Sequence, residues 1–201
     1  MAHLPVQTKP AVLALLLAGV LAACGRPEPA APVANPTPTE QEIAGARDAA
    51  SQLGSRLKAR LMAAMSEGGP IAAIEVCAEE APQIAQQVSE ETGYRVGRTS
   101  LRVRNPANAP DAWEQEQLMS FMKDLQDGAD PAGLEAAEIV TDGGREVFRW
   151  ARPIMLEAPC ATCHGQSVSP EILAEIKARY PDDTATGFAV GDLRGMFTVS
   201  K

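Results

Sequence analysis

Tyr94-Arg95-Val96-Gly97-Arg98-Thr99-Ser100-Leu101-Arg102-Val103-Arg104 is the stretch in which the chain changes period. Before it, Ile71, Ile74, Cys77, Ala81, Ile84, Ala85 and Val88 recur at three- and four-residue steps, the signature of one helical stripe. Within it, Tyr94 and Val96 share one two-residue phase and Leu101 and Val103 the other. The slip falls at Gly97, which predicts a bulge or a break there. Working outward, Thr39 and Glu42 fit a capping box, so a helix is expected from there to about Glu67, stopped by Gly68-Gly69. Pro70 then suits the first turn of a second helix, with Cys77 on its buried stripe and Pro82 kinking or restarting it. On the other side, Asp111 should cap a third helix running to Gln126. Asp142-Gly143-Gly144, between Ile139-Val140 and the run Val147 to Met155, is a hairpin signal. A short helix over Glu171 to Tyr180 and a last strand over Gly195 to Ser200 complete the reading. Helices first, then antiparallel strands with helices inserted, means an α+β fold.

The 201 residues suffice for one domain with its own core, and the formal charge of −8 excludes the basic footprint that nucleic-acid binding needs. Lys9 followed by the apolar run Ala11 to Ala23 reads as an export signal too short to span a bilayer. Leu21-Ala22-Ala23-Cys24 resembles the lipobox of bacterial lipoproteins, which implies cleavage before Cys24 and lipidation of its sulfur. Gly25 in place of Asp lacks the retention signal of enteric inner-membrane lipoproteins, which favours the outer membrane. Pro27, Pro29, Pro32, Pro36 and Pro38 make a semi-extended tether. The expected organisation is a leader over 1–23, a lipidated cysteine and linker over 24–39, and one folded domain over 40–201, held at the periplasmic face of a membrane.

Chemistry enters with Cys160-Ala161-Thr162-Cys163-His164. C-x-x-C-H is the attachment signature of c-type haem: two thiols form thioethers with the vinyl groups, and the next residue offers its imidazole to the iron. The expected cofactor is one covalent haem c. Covalent attachment of this kind needs export, which the leader supplies. Three other readings compete. A redox C-x-x-C expects a βαβ context, a structural disulfide would close only a tiny loop, and a zinc site could recruit Cys77, Cys160, Cys163 and His164. A porphyrin would also help to fill a core in which only 4% of residues are aromatic.

Of the two histidines, His3 lies in the leader, so no second imidazole remains for a sixth ligand. Cys77, a methionine (Met62, Met65, Met119, Met122, Met155 or Met196), a weak neutral ligand, water or no ligand all stay open on the residues alone. A free cysteine on a helical stripe is also an ordinary small core residue.

Seven segments occur in a specific order: Ile74-Glu75-Val76-Cys77, Gly97 to Arg102, Arg104 to Asn108, Trp113-Glu114, Cys160 to Gly165, Tyr180-Pro181-Asp182-Asp183 and Gly191 to Gly195. Together they resemble a bacterial family of single-haem c-type domains with a PAS-like fold, long classed as a domain of unknown function and also found as the periplasmic sensor of some histidine kinases. The resemblance covers nearly all of the chain after the linker. It implies a PAS-like antiparallel sheet with flanking N-terminal helices. It also implies an axial pair of His164 and Cys77, and thiolate is a recognised haem ligand. Arg98, Arg102 and Arg104 are candidate partners for the haem propionates, against the plainer reading of a solvated strand face.

The functional expectation is a membrane-anchored monohaem cytochrome, not an enzyme, that transfers single electrons or senses redox state or a diatomic gas. No output segment follows Lys201 in this sequence, which tips the expectation toward electron transfer to an unidentified redox partner, with a signalling protein as the counterpart for a sensor. A peroxidase-like or nitrite-handling haem enzyme and a haem-free interaction or redox lipoprotein are the alternatives. A homodimer through residues 40–67 is a further expectation.

Overall fold

The structure, a computed structural model, describes Met1 and residues 36–201. The leader after Met1, Cys24 and most of the linker lie outside the described residues. Residues 36–201 belong to one compact unit.

Thr39 opens helix α1, Glu40–Glu75, with both halves of the capping box formed: its hydroxyl accepts from the Glu42 N–H, and the Glu42 carboxylate accepts from the Thr39 N–H. The predicted stop at Gly68-Gly69 is a sharp break in this stretch, because Gly69 adopts φ 71°, ψ −163°, and Pro70 restarts the helix behind it. Residues Val76–Glu80 then widen into a single π-helical turn before α2, Ala81–Thr92. Pro82 explains the widening. Its ring would strike the carbonyl of Ala78 in a regular α-helix, and the Ala81 N–H reaches back to the Val76 carbonyl instead. Cys77 sits inside this turn and is exposed, which corrects its expected place on the buried stripe. The π-turn breaks the 3.6-residue period on which that expectation rested.

Strand β1, Arg95–Thr99, follows, then α3, Ala112–Gln126, which Asp111 caps in a second capping box. Strands β2, Ala136–Asp142, and β3, Arg145–Met155, form the expected hairpin, with Gly143 and Gly144 at φ 56° and 79° in its turn. The one-turn helix α4, Ala161–His164, the helix α5, Pro170–Arg179, and strand β4, Leu193–Ser200, complete the described chain. The strands form one sheet in the order β1-β4-β3-β2, antiparallel throughout. The α+β class with flanking N-terminal helices is the observed architecture.

No bulge occurs at Gly97, which pairs with Thr198 in an unbroken register. The second apolar phase has a different cause: the strand ends at Thr99, and Leu101 lies in the following bend, 42% exposed. The one irregularity of the described sheet falls between Ile154 and Met155.

The two faces of the sheet carry separate cores. Ala46, Ala49, Ala50, Leu53 and Leu57 of α1 and Val88 of α2 pack with Tyr94, Val96, Phe148, Trp150 and Val199. Leu118 and Phe121 of α3 pack with Ala151 and Met196 on the other side. The alternation Phe148-Arg149-Trp150-Ala151 assigns successive side chains to opposite faces. Arg98 has the phase of Val96, so it projects from β1 toward the face that α1 and α2 cover.

Candidate functional site

The Cys-x-x-Cys-His segment is built from two short turns. Residues Ala158–Cys160 form a 3-10 turn, and Ala161–His164 continue it as one α-helical turn. Cys160 and Cys163 are three residues apart, which places both thiols on one side of the turn, and both are free. The turn closes with the Gly165 N–H on the Ala161 carbonyl. A Cβ at position 165 would collide with that same carbonyl oxygen, so only glycine fits there. The motif does not open a long helix after a parallel strand, so the thioredoxin-like context is absent. No group of three or more His, Cys, Asp or Glu side chains converges to hold a metal ion among the described residues, so the four-residue zinc site is not assembled.

His164 is held in one tautomer. Its Nδ1 lies 2.6 Å from the Ala185 carbonyl oxygen, and a carbonyl only accepts, so Nδ1 carries the proton. Arg194 Nε lies 3.3 Å from the same nitrogen. With the proton on Nδ1 that contact pairs two donors, so it acts as a nearby positive charge and not as a hydrogen bond. Burial first, then the Arg194 and Arg104 charges, push the imidazole down to about 3. His164 is therefore neutral at ordinary pH, with the Nε2 lone pair available to a metal.

The candidate arginines divide by their partners. Arg104 is engaged through two of its three guanidinium nitrogens: Nε donates to Asp183 at 2.9 Å, and Nη2 donates to the carbonyls of Cys163 at 2.7 Å and Ala185 at 3.3 Å. Arg102 Nε donates to the Thr184 carbonyl and Nη2 to that of Thr186, and its guanidinium lies over the Phe188 ring, 4.2 Å from the centroid. Arg98 is different, because its guanidinium has no hydrogen-bond or ion-pair partner among the described residues. It is close enough to Cys77 and Tyr180 for their charges to act on it, while burial holds its pKa below the usual arginine range.

Cys77 is open to solvent on one side and hemmed in by protein on the others. Burial pushes its thiol up, and the Arg98, Arg104 and Arg194 charges pull it down. One turn earlier in α1, Ile74 joins Ile172 and Ile176 of α5 in an apolar cluster against which Cys163 and Val168 pack. The C-x-x-C-H turn, the π-turn with Cys77 and the end of β1 with Arg98 thus meet in one region.

Sequence reasoning missed three members of this site. Arg194 falls in the segment Gly191 to Gly195, to which the sequence assigns no haem-site role, yet burial and the Arg104 and Arg98 charges lower it to about 10. Asp183 enters the sequence reading only within Tyr180-Pro181-Asp182-Asp183 and with no role at the site, yet its side chain is 1% exposed and bonded to Arg104. The Ala185 carbonyl carries no side-chain signal at all. The sequence does not mark Asp183 out from its neighbour Asp182, because its burial and its pairing with Arg104 arise only in the fold.

Fold and site define an α+β domain that presents a Cys-x-x-Cys-His turn, its histidine held neutral with Nε2 bare, beside a cluster of arginines. The chain belongs to the Tll0287-like family, whose profile matches residues 28–201. Among solved structures, that of the cyanobacterial heme-protein Tll0287 shares the fold with a TM-score of 0.59 at 24% identity, covering 82% of this chain and 96% of that one. No curated protein matches the chain.

Proposed function

We propose that this chain is a monohaem c-type cytochrome domain that serves one-electron transfer or redox and gas sensing and is not an enzyme. The observation that carries the reading is the pairing of two free thiols, Cys160 and Cys163, with an adjacent imidazole whose Nδ1 proton is engaged. Family membership supports it, as does the description of a relative of the same fold as a haem protein. The residues fit the group: Cys160 and Cys163 would hold it covalently, His164 Nε2 and Cys77 Sγ would bind the iron, and Arg98 would take a propionate. When bound, the haem supplies a one-electron couple, held at low potential by a thiolate ligand.

The chain's own residues prepare this. The Ala185 carbonyl keeps the His164 proton off Nε2. Ile74, Ile172, Ile176 and Val168 offer an apolar wall. Burial raises the Cys77 thiol on balance, and Arg98, which has no hydrogen-bond or ion-pair partner among the described residues, opposes that rise. Arg102 and Arg104 are occupied with the 184–186 loop and the motif backbone, so the propionate role narrows to Arg98. Lipidation at Cys24 would tether the domain to the periplasmic face of a membrane, the outer membrane being favoured, where a redox or signalling protein would meet it. A homodimer through residues 40–67 belongs to the same proposal.

The test is reductive titration of the purified, fully matured protein. A single reversible one-electron transition, together with a pyridine haemochrome of one covalent haem per chain, is expected. Turnover of peroxide or nitrite would overturn the non-enzymatic reading in favour of a haem enzyme, and absence of haem would leave an interaction lipoprotein.

A further inference from the structure

The bonds around His164 close into a ring that no single residue accounts for. Asp183 Oδ1 accepts from Arg104 Nε at 2.9 Å and from the Ala185 N–H at 3.1 Å. Arg104 Nη2 donates to the Cys163 carbonyl at 2.7 Å, one residue before His164, and to the Ala185 carbonyl at 3.3 Å. The Ala185 carbonyl accepts the His164 Nδ1 proton at 2.6 Å. The loop that carries Asp183 and Ala185 is itself strapped over the motif. The Phe188 N–H donates to the His164 carbonyl, the Gly187 N–H to the Gly165 carbonyl and the Thr184 N–H to the Val103 carbonyl. Lys177 Nζ donates to the Asp183 carbonyl from α5. Ala185 is fully buried, and the Arg104 and Asp183 side chains are 11% and 1% exposed.

We infer that Arg104 and Asp183 are positioning residues for His164: they fix the Ala185 carbonyl so that the imidazole keeps its proton on Nδ1 and presents a bare Nε2. The physical need is plain. Neutral imidazole free in water favours the proton on Nε2, the tautomer that cannot bind iron through that nitrogen. A carbonyl fixed 2.6 Å from Nδ1 reverses the preference, and its position is set by Asp183 through the peptide N–H and by Arg104 through the oxygen. The same Arg104 nitrogen grips the Cys163 carbonyl, so motif and loop move as one body. A buried ion pair contributes little net stability on average, but it specifies one arrangement, and specification is what an imidazole ligand needs. Its service to a haem rests on the proposed function, whereas the tautomer itself does not.

The test therefore reads the tautomer in the full-length, haem-free chain. Nitrogen-15 NMR of histidine-labelled protein carrying His3→Gln leaves His164 as the single signal. The proton is expected on Nδ1 from pH 6 to 8. Asp183→Ala removes both acceptors and should move at least half of the population to the Nε2–H form. Asp183→Asn, which keeps an oxygen acceptor, should restore the Nδ1–H form. Should Asp183→Ala fail to fold, Arg104→Gln carries the test: it should speed exchange of the Nδ1 proton with water at least tenfold. An Nε2–H tautomer in the unaltered site, an unshifted tautomer in folded Asp183→Ala, or unchanged exchange in Arg104→Gln would each overturn the inference. A haem attachment assay on the matured protein separates its failure from failure of the proposed function, because the tautomer is read without haem.

Discussion

The two ends of this domain are held together by different physics. At the sheet, α1 offers Ala46, Ala49, Ala50 and Leu53, small enough to bring its backbone close to Trp150, Phe148 and Tyr94. Gly54 goes further, since a Cβ there would lie 2.9 Å from the Phe197 ring. At the site, the chain is held by backbone hydrogen bonds, a buried ion pair and arginines, with a small isoleucine cluster as the apolar element. Most of the few aromatic rings serve the sheet cores, and of the eight only Phe188 and Tyr180 sit at the site. The sheet end is therefore a finished core, and a scarcity of rings does not weaken it. The site end is where a flat apolar group would add what the side chains do not supply.

Substitutions that strike one end and not the other can break this contrast. Trp150→Ala should cost most, about 3–5 kcal/mol, because a fully buried ring is lost from a close-packed core; denaturant unfolding checks it. Asp183→Ala should follow at about 3 kcal/mol by the same measurement, since it leaves the Arg104 charge buried without its partner. A larger loss at Asp183 than at Trp150 would reverse the assignment of the two ends.

Acid should act on the site end. The folded His164 pKa of about 3 lies below the ordinary 6.5, so the unfolded chain binds the extra proton between those values. Stability is complete above about pH 6.5 and is lost as pH falls toward 3. Asp183, held below the usual carboxylate range by Arg104 against the cost of its burial, adds a loss in the same direction as pH falls through its folded value. Urea midpoints of the haem-free chain at successive pH values should show this slope, and His164→Gln should flatten it. The smallest effect belongs to the surface. Arg47→Ala removes an exposed bond to Glu135 and should change stability by less than about 1 kcal/mol in the same unfolding assay.

Much of the fold was legible because its signals are local. Thr39-Glu42 and Asp111-Glu114 are capping boxes, and Gly143-Gly144 is a turn. The exposure of Cys77 was not legible, because it follows from a clash between Pro82 and a carbonyl four residues earlier, which shifts the helical period. The end of β1 at Thr99 was not legible, because Leu101 and Val103 resume a two-residue period in the other phase, which reads as a bulge at Gly97 although strand pairing stops at Thr99. Cys160, Cys163 and His164 could be named from spacing alone. Their supporting groups could not, because Asp183 and Ala185 meet Arg104 across about 80 residues of chain and one of the decisive atoms is a backbone oxygen.

Peptide mass spectrometry of the protein, matured in a host that assembles c-type cytochromes, tests the central claim most directly. The account predicts that the peptide containing Cys160-Ala161-Thr162-Cys163-His164 carries one haem mass after denaturation and solvent extraction, and that Cys160→Ser with Cys163→Ser abolishes it. Recovery of that peptide with both thiols free and no haem attached would contradict the account.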